Sequence, residues 1–244
     1  MGARTRAELL KIRSTRTTFG LVVGMVLLVL LFVLLTGLLE HASGLEEKSN
    51  QHDYLAIGTL AALFAALAGV LVVTSEYRFG TIRPTFLFTP RRSRVVEAKL
   101  AASLIAGLVF AAVAEGLAFG IGYVILSGRG IPIALNGGDV ALLVLGTLGS
   151  CAVWGAIGVG LGTILRNQVG SVIGLLAWSL LVENLLFGLV PSVGRYTPGR
   201  ATDAVTGSSS DHLLSPAVGG VVLVAWAAAL AAGGLTLTAR RDVD

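Results

Sequence analysis

Phe19-Gly-Leu-Val-Val-Gly-Met-Val-Leu-Leu-Val-Leu-Leu-Phe-Val-Leu-Leu-Thr-Gly-Leu-Leu39 is 21 residues without a charge. A helix of that length crosses a hydrocarbon core of ~30 Å. Arg4, Arg6, Lys11, Arg13 and Arg16 precede it. Basic residues before an apolar run also describe a secretion signal, but this run is longer than such a segment needs, and Ala42-Ser43-Gly44 is a weak cleavage site. The stretch reads as a retained membrane span.

Five more apolar runs lie beyond it: Tyr54 to Thr74, Leu100 to Leu126, Val140 to Leu165, Val169 to Val190, and Ala217 to Thr238. None shows the alternation of a barrel strand, and backbone in lipid must pair its own polar groups, so each is expected to be helical. The composition agrees: 55% of residues are hydrophobic and 13% charged, against about a quarter charged in soluble domains. The fold expected is an all-α, polytopic bundle of six transmembrane helices forming one domain over 1–244.

Charge placement orients the bundle. With both termini cytoplasmic, the inner segments hold 14 of the 18 lysines and arginines. Lys48, Arg129, Arg195 and Arg200 fall outside, which is the bias expected of cytoplasmic loops. The net charge of +4 is thereby explained by topology and membrane lipid contact, without nucleic acid.

Enzyme chemistry finds little footing. The lysines follow Leu10, Glu47 and Ala98, so no glycine–lysine pair exists and no P-loop can form. There is no nucleophile elbow and no HExxH pair. Cys151 is the only cysteine, which excludes an intrachain disulfide. His41, Glu46, Glu47, His52 and Asp53 share one stretch without a ligand spacing, and read as a solvated loop. No metal site, cofactor or catalytic residue is expected.

The segment Ser75 to Lys99 carries the most information. Gly80 suits a tight turn after the second span. Thr81 suits a cap for a short helix with Ile82 and Phe86 on one side, and Pro90 suits its end. Arg83, Arg91, Arg92 and Arg94 surround it. Such a loop fits docking of a cytoplasmic partner or lying on anionic headgroups, and the residues alone leave both open.

The order Glu76, Gly80-Thr81, Thr89-Pro90, Arg94, Lys99 resembles the first cytoplasmic loop of ABC transporter permeases of the type-2 export family. Three further stretches are similar to that family. They are the N-terminal interfacial helix around Ala7 to Arg16 (within 1–18), the turn Leu165 to Gly170, and Val182-Glu183-Asn184 followed by Pro191 and Arg195-Tyr196-Thr197-Pro198. The resemblance implies that about Thr81 to Thr89 is a coupling helix seated in a separate ABC ATPase, which binds the ATP and magnesium. It implies a second permease copy or homologue. It implies export across the plasma membrane of an amphiphilic or hydrophobic compound such as a drug, antibiotic, peptide or lipid. The coupling residues so implied are Glu76, Arg78, Gly80, Thr81, Ile82, Arg83, Phe86, Arg91, Arg92 and Arg94. In the family the outer segment after the fifth span re-enters the membrane. Here 191–216 is polar, and only partial re-entry is expected.

Two acids fall inside predicted spans, Glu115 and Glu183, the latter beside Asn184. A carboxylate at that depth must be protonated, paired or watered. All three residues are candidates for a polar path or an interface; a hydrogen-bonded neutral carboxyl is the plainer alternative. They also support a different class of function, a proton-coupled secondary transporter. A non-transporting membrane scaffold is a third. Glycines recur at four-residue spacing at 20 and 24, 116 and 120, 158 and 162, and 170 and 174, allowing close helix approach; packing within the chain is the plainer use and a dimer contact the alternative.

Overall fold

A computed structural model describes residues 2–82 and 92–240; within them the side chains of Ala3, Arg92, Ala239 and Arg240 are not described. The described residues are mostly helical, with no strand among them. Six helices are long and apolar enough to cross a membrane: Arg16–Leu39, Lys48–Arg78, Ser93–Gly128, Gly137–Leu165, Gln168–Leu189 and Pro216–Thr238.

The chain opens with α1 (Ala3–Ser14), then α2 (Arg16–Leu39), α3 (Ala42–Leu45) and α4 (Lys48–Leu55). A 3₁₀ segment, Ala56–Leu60, joins α4 to α5 (Ala61–Arg78). Next come α6 (Arg92–Gly128), α7 (Gly137–Leu165) and α8 (Gln168–Ala177). A π-helical turn, Trp178–Val182, leads to α9 (Glu183–Leu189). Short helices α10 (Pro191–Gly194) and α11 (Pro198–Thr206) precede α12 (Pro216–Arg240).

The centre of the bundle is α7, which packs on α5, α6, α11 and α12. Of its apolar window 56% is buried, against 11% for the fifth crossing, so α7 is core and α8–α9 is periphery. Close approach explains the glycines of α7. A Cβ on Gly158 would stand 2.9 Å from Ala66 Cα in α5, with the Ala66 carbonyl nearer still. The pair 158 and 162 therefore serves packing within the chain. Gly116 and Gly120 have nothing within 4 Å.

The helices run past their apolar cores. The second crossing begins at Lys48, in a stretch whose polar residues suggested a loop. Gln51 and His52 are buried there: Gln51 Nε2 donates to the carbonyls of Leu45 (3.2 Å) and Pro132 (3.0 Å), and His52 Nε2 lies 2.9 Å from the Thr206 carbonyl oxygen. The third begins at Arg92, two turns before Leu100. The turn at 165–170 follows its local chemistry: Arg166 adopts a left-handed φ of 53°, and the Asn167 side chain caps α8 by accepting from the Gly170 N–H.

The segment 191–216 is more ordered than its polarity suggests. Pro198 at the first helical position and Gly207 in the left-handed conformation bracket α11. Trp154 Nε1 donates to Thr202 Oγ1 at 2.9 Å, in a buried setting. Trp154 is 17 residues into α7, about 26 Å from its start. Thus α11 runs down beside α7 with its N-terminus deep and its C-terminus near His52.

Candidate functional site

Two loci combine buried polar groups with a place in the fold that matters. The first is at the end of the bundle holding α1, the close of α5 and the opening of α6.

There α1 lies against the bundle through Ile12, which packs with Ala102 and Ala106 of α6. One turn earlier Glu8 faces inward. Lys99 is 2% exposed, and its Nζ donates to Glu8 Oε2 (2.9 Å), Glu76 Oε1 (2.8 Å) and the Val72 carbonyl (3.0 Å). Lys11 Nζ closes the other side, 2.7 Å from Glu8 Oε1 and 2.9 Å from Glu76 Oε1. The four side chains form a closed box of two acids and two bases. Burial by itself would raise the Glu8 carboxyl, but Lys99 and Lys11 outweigh it and hold the group below its ordinary value of 4.5. Burial would lower Lys11, and Glu8 and Glu76 outweigh it and hold the ammonium above 10.5. Stranding one member of a buried pair costs about 3–5 kcal/mol.

The box sits where the chain leaves and rejoins the bundle. Glu76 is two residues before the end of α5, and Lys99 is seven residues into α6. Between them Gly80 takes φ +69°, the left-handed turn its position suggests. Ile82 is buried, and Thr81 and Arg94 are exposed. Arg78 is exposed, donates to Gln168 Oε1 at 3.3 Å, and lies 5.5 Å from the Phe79 ring. Arg83, Phe86 and Arg91, with most of the expected coupling helix Thr81 to Thr89, lie outside the described residues, as does the Arg92 side chain. A groove of about 630 Å³ opens beside the box, with Glu8, Lys11, Thr15, Leu71, Glu76 and Arg78 among its lining.

The second locus is the pair of acids at depth, and the two differ. Glu183 Oε2 accepts from the Gly199 N–H at 2.7 Å. It therefore caps the deep N-terminus of α11, whose first N–H groups have no intrahelical acceptor. The π turn before Glu183 adds a residue to the helix, a register change that re-aims α9. Asn184 is exposed and accepts from Arg200 Nη2 at 2.5 Å, and Arg200 also pairs with Asp203 at 2.8 Å. Glu115 is 3% exposed, and neither of its oxygens has a hydrogen-bond partner. Among the described residues no group of histidine, cysteine and acidic side chains could hold a metal.

Glu8 and Lys11 were not singled out in the sequence. Their i, i+3 spacing was a signal, but nothing in it points to residues 76 and 99. A scan against protein-family models finds no match to this chain, and a search of curated proteins finds none.

Proposed function

We propose that the chain is the membrane-spanning permease subunit of an ATP-binding cassette exporter. It would pair with a second copy or a homologue, and a separate ATPase would bind ATP and magnesium. Both termini and the 75–99 loop would face the cytoplasm, in keeping with the concentration of lysine and arginine there. The substrate class would be an amphiphilic or hydrophobic compound moved outward. No residue of this chain would be catalytic.

The observation that carries this reading is the salt bridge between Glu76 and Lys99. It ties both ends of one charged loop to each other and, through Glu8, to α1. A loop anchored this way transmits a push as a rigid lever, where a loosely held loop would absorb it. ATP-driven closure of two docked ATPases would then shift α5 and α6 together and move the bundle between two packed states. The 191–216 segment, with α11 beside the middle of α7, fits the re-entrant outer segment of such permeases.

Gly80→Pro tests the lever. Proline excludes the positive φ that Gly80 adopts. The variant is expected to insert and to bind the ATPase, but to break the link between ATP hydrolysis and substrate transport in proteoliposomes. Normal coupling would remove the loop from the mechanism.

A further inference from the structure

Glu115 is the buried ionisable group that the coupling mechanism leaves unused. It lies in α6, sixteen residues beyond Lys99 and thirteen before Gly128. At 1.5 Å per residue that is about 24 Å and about 20 Å from those two points. It is therefore far from either end of the crossing.

Its surroundings are unusual for a carboxyl. Gly58, in the 3₁₀ segment, packs directly on it: a Cβ there would stand 2.8 Å from the Glu115 Cα and would overlap carboxyl atom Oε2. Thr147 of α7 stands beside the carboxyl as a hydroxyl neighbour, its Oγ1 buried and short of a well-aligned hydrogen bond. Cys151, one turn on, is buried as a free thiol. Among the described residues no counter-charge pairs with it. From residue 100 to the end of α6, Glu115 is the sole charged residue. The facing parts of α7 carry none, α2 has none after Arg16, and α12 has none before Arg240. On the α4–α5 side the nearest are His52 and Asp53, and then Glu76 at the other end.

A carboxylate with a single hydroxyl beside it and no counter-charge is too costly at such depth to persist. A metal cation does not solve the problem, since hard cations take about six oxygen ligands. Here Thr147 supplies one hydroxyl beside the carboxyl, and Gly58 packs directly on Oε2, where further ligands would have to stand. We infer that Glu115 is an occluded proton-binding site, with Thr147 as its polar neighbour and Gly58 as its lid. The proton is held while the 3₁₀ segment rests on α6, and leaves when that segment parts from α6 and admits water. The inference rests on this carboxyl alone and is independent of any ATPase.

Infrared spectroscopy of the purified protein in lipid nanodiscs reads the proton directly. The wild type should show a protonated-carboxyl C=O band that Glu115→Gln removes. That band should be present at neutral pH, where exposed acids are ionised, and should shift only slowly in D2O. Thr147→Val keeps the carboxyl and should move the band without abolishing it. No difference between wild type and Glu115→Gln in that region would overturn the proposal, as would an immediate D2O shift. On the wild type alone, dicyclohexylcarbodiimide, an apolar reagent for protonated carboxyls, should form an adduct at Glu115 at the same rate with and without Na⁺. Protection by Na⁺ would overturn the proton assignment in favour of a metal cation. Failure of these tests would leave the ATPase reading untouched, because that reading concerns a different end of the bundle.

Discussion

Lys99 Nζ lies 2.8 Å from Glu76 Oε1, with the lysine 2% exposed. The bond joins residues that flank a 22-residue stretch of sequence. It holds the last turn of α5 against the opening turns of α6. Glu8 and Lys11 bring α1 to the same point, so three elements share one electrostatic junction.

Lys99→Met should be among the more destabilising single changes at this end of the molecule. It leaves Glu8 and Glu76 buried with Lys11 as their one remaining counter-charge among the described residues, a loss of about 3 kcal/mol. The double variant Glu76→Gln with Lys99→Met should lose clearly less than the sum of the two singles, because neither then strands the other. Thermal melts of the four proteins in one detergent measure this; additive losses would mean that the two side chains do not act as a pair.

The junction should have a pH window with two edges. The Glu8 carboxyl is held below its ordinary 4.5. Its contribution is present above that value and is lost as pH falls through the lowered one. The Lys11 ammonium is held above 10.5. Its contribution is complete below that value and is lost as pH rises through the raised one. The melting midpoint should therefore hold steady across the neutral range and fall beyond each edge. Glu8→Gln should weaken the acid edge and also bring the alkaline edge down, because Glu8 helps to hold the Lys11 ammonium.

Glu183 is expected to matter as a hydrogen-bond acceptor more than as a charge. Glu183→Gln keeps a carbonyl oxygen for the Gly199 N–H and should be mild. Glu183→Leu leaves that N–H buried and unpaired at a cost of about 1–3 kcal/mol. The readout is protease cutting within 191–216, which the leucine variant should accelerate and the glutamine variant should not.

Gly158→Val probes the tightest helix contact. The new side chain would meet the Ala66 backbone, which cannot rotate away as a side chain can, and overpacking of this kind costs about 1–3 kcal/mol. Gly116→Val, where nothing lies within 4 Å, should be close to neutral in the same melting assay.

The six helices long and apolar enough to cross a membrane were legible because each is a long run of apolar residues, and length is what a bilayer dictates. Their ends were not. Lys48 to Asp53 reads as loop by hydropathy, yet it is helix, because Gln51 and His52 find carbonyl partners on neighbouring segments. The α6 helix starts two turns early for a related reason: Lys99 is buried by acids that lie 91 and 23 residues away in the chain. Helix α11 carried a local signal in Pro198 and Gly207, which polarity masked. At the candidate site, Glu76, Gly80 and Lys99 stood out in sequence, whereas Glu8 and Lys11 did not. Their role depends on α1 folding back onto α6, which rests on the small apolar cluster of Ile12 and Leu9 with Val72, Ala102 and Ala106.

The central claim is that a separate ATPase docks on the loop that Glu76 and Lys99 anchor. The most direct measurement is affinity purification of the tagged chain from its native membrane in mild detergent, with the wild type compared against Ile82→Asp. The account predicts that a P-loop ATPase co-purifies with the wild type and is lost from the Ile82→Asp sample while the permease itself remains inserted and intact. A stable wild-type preparation with no ATPase bound would contradict it.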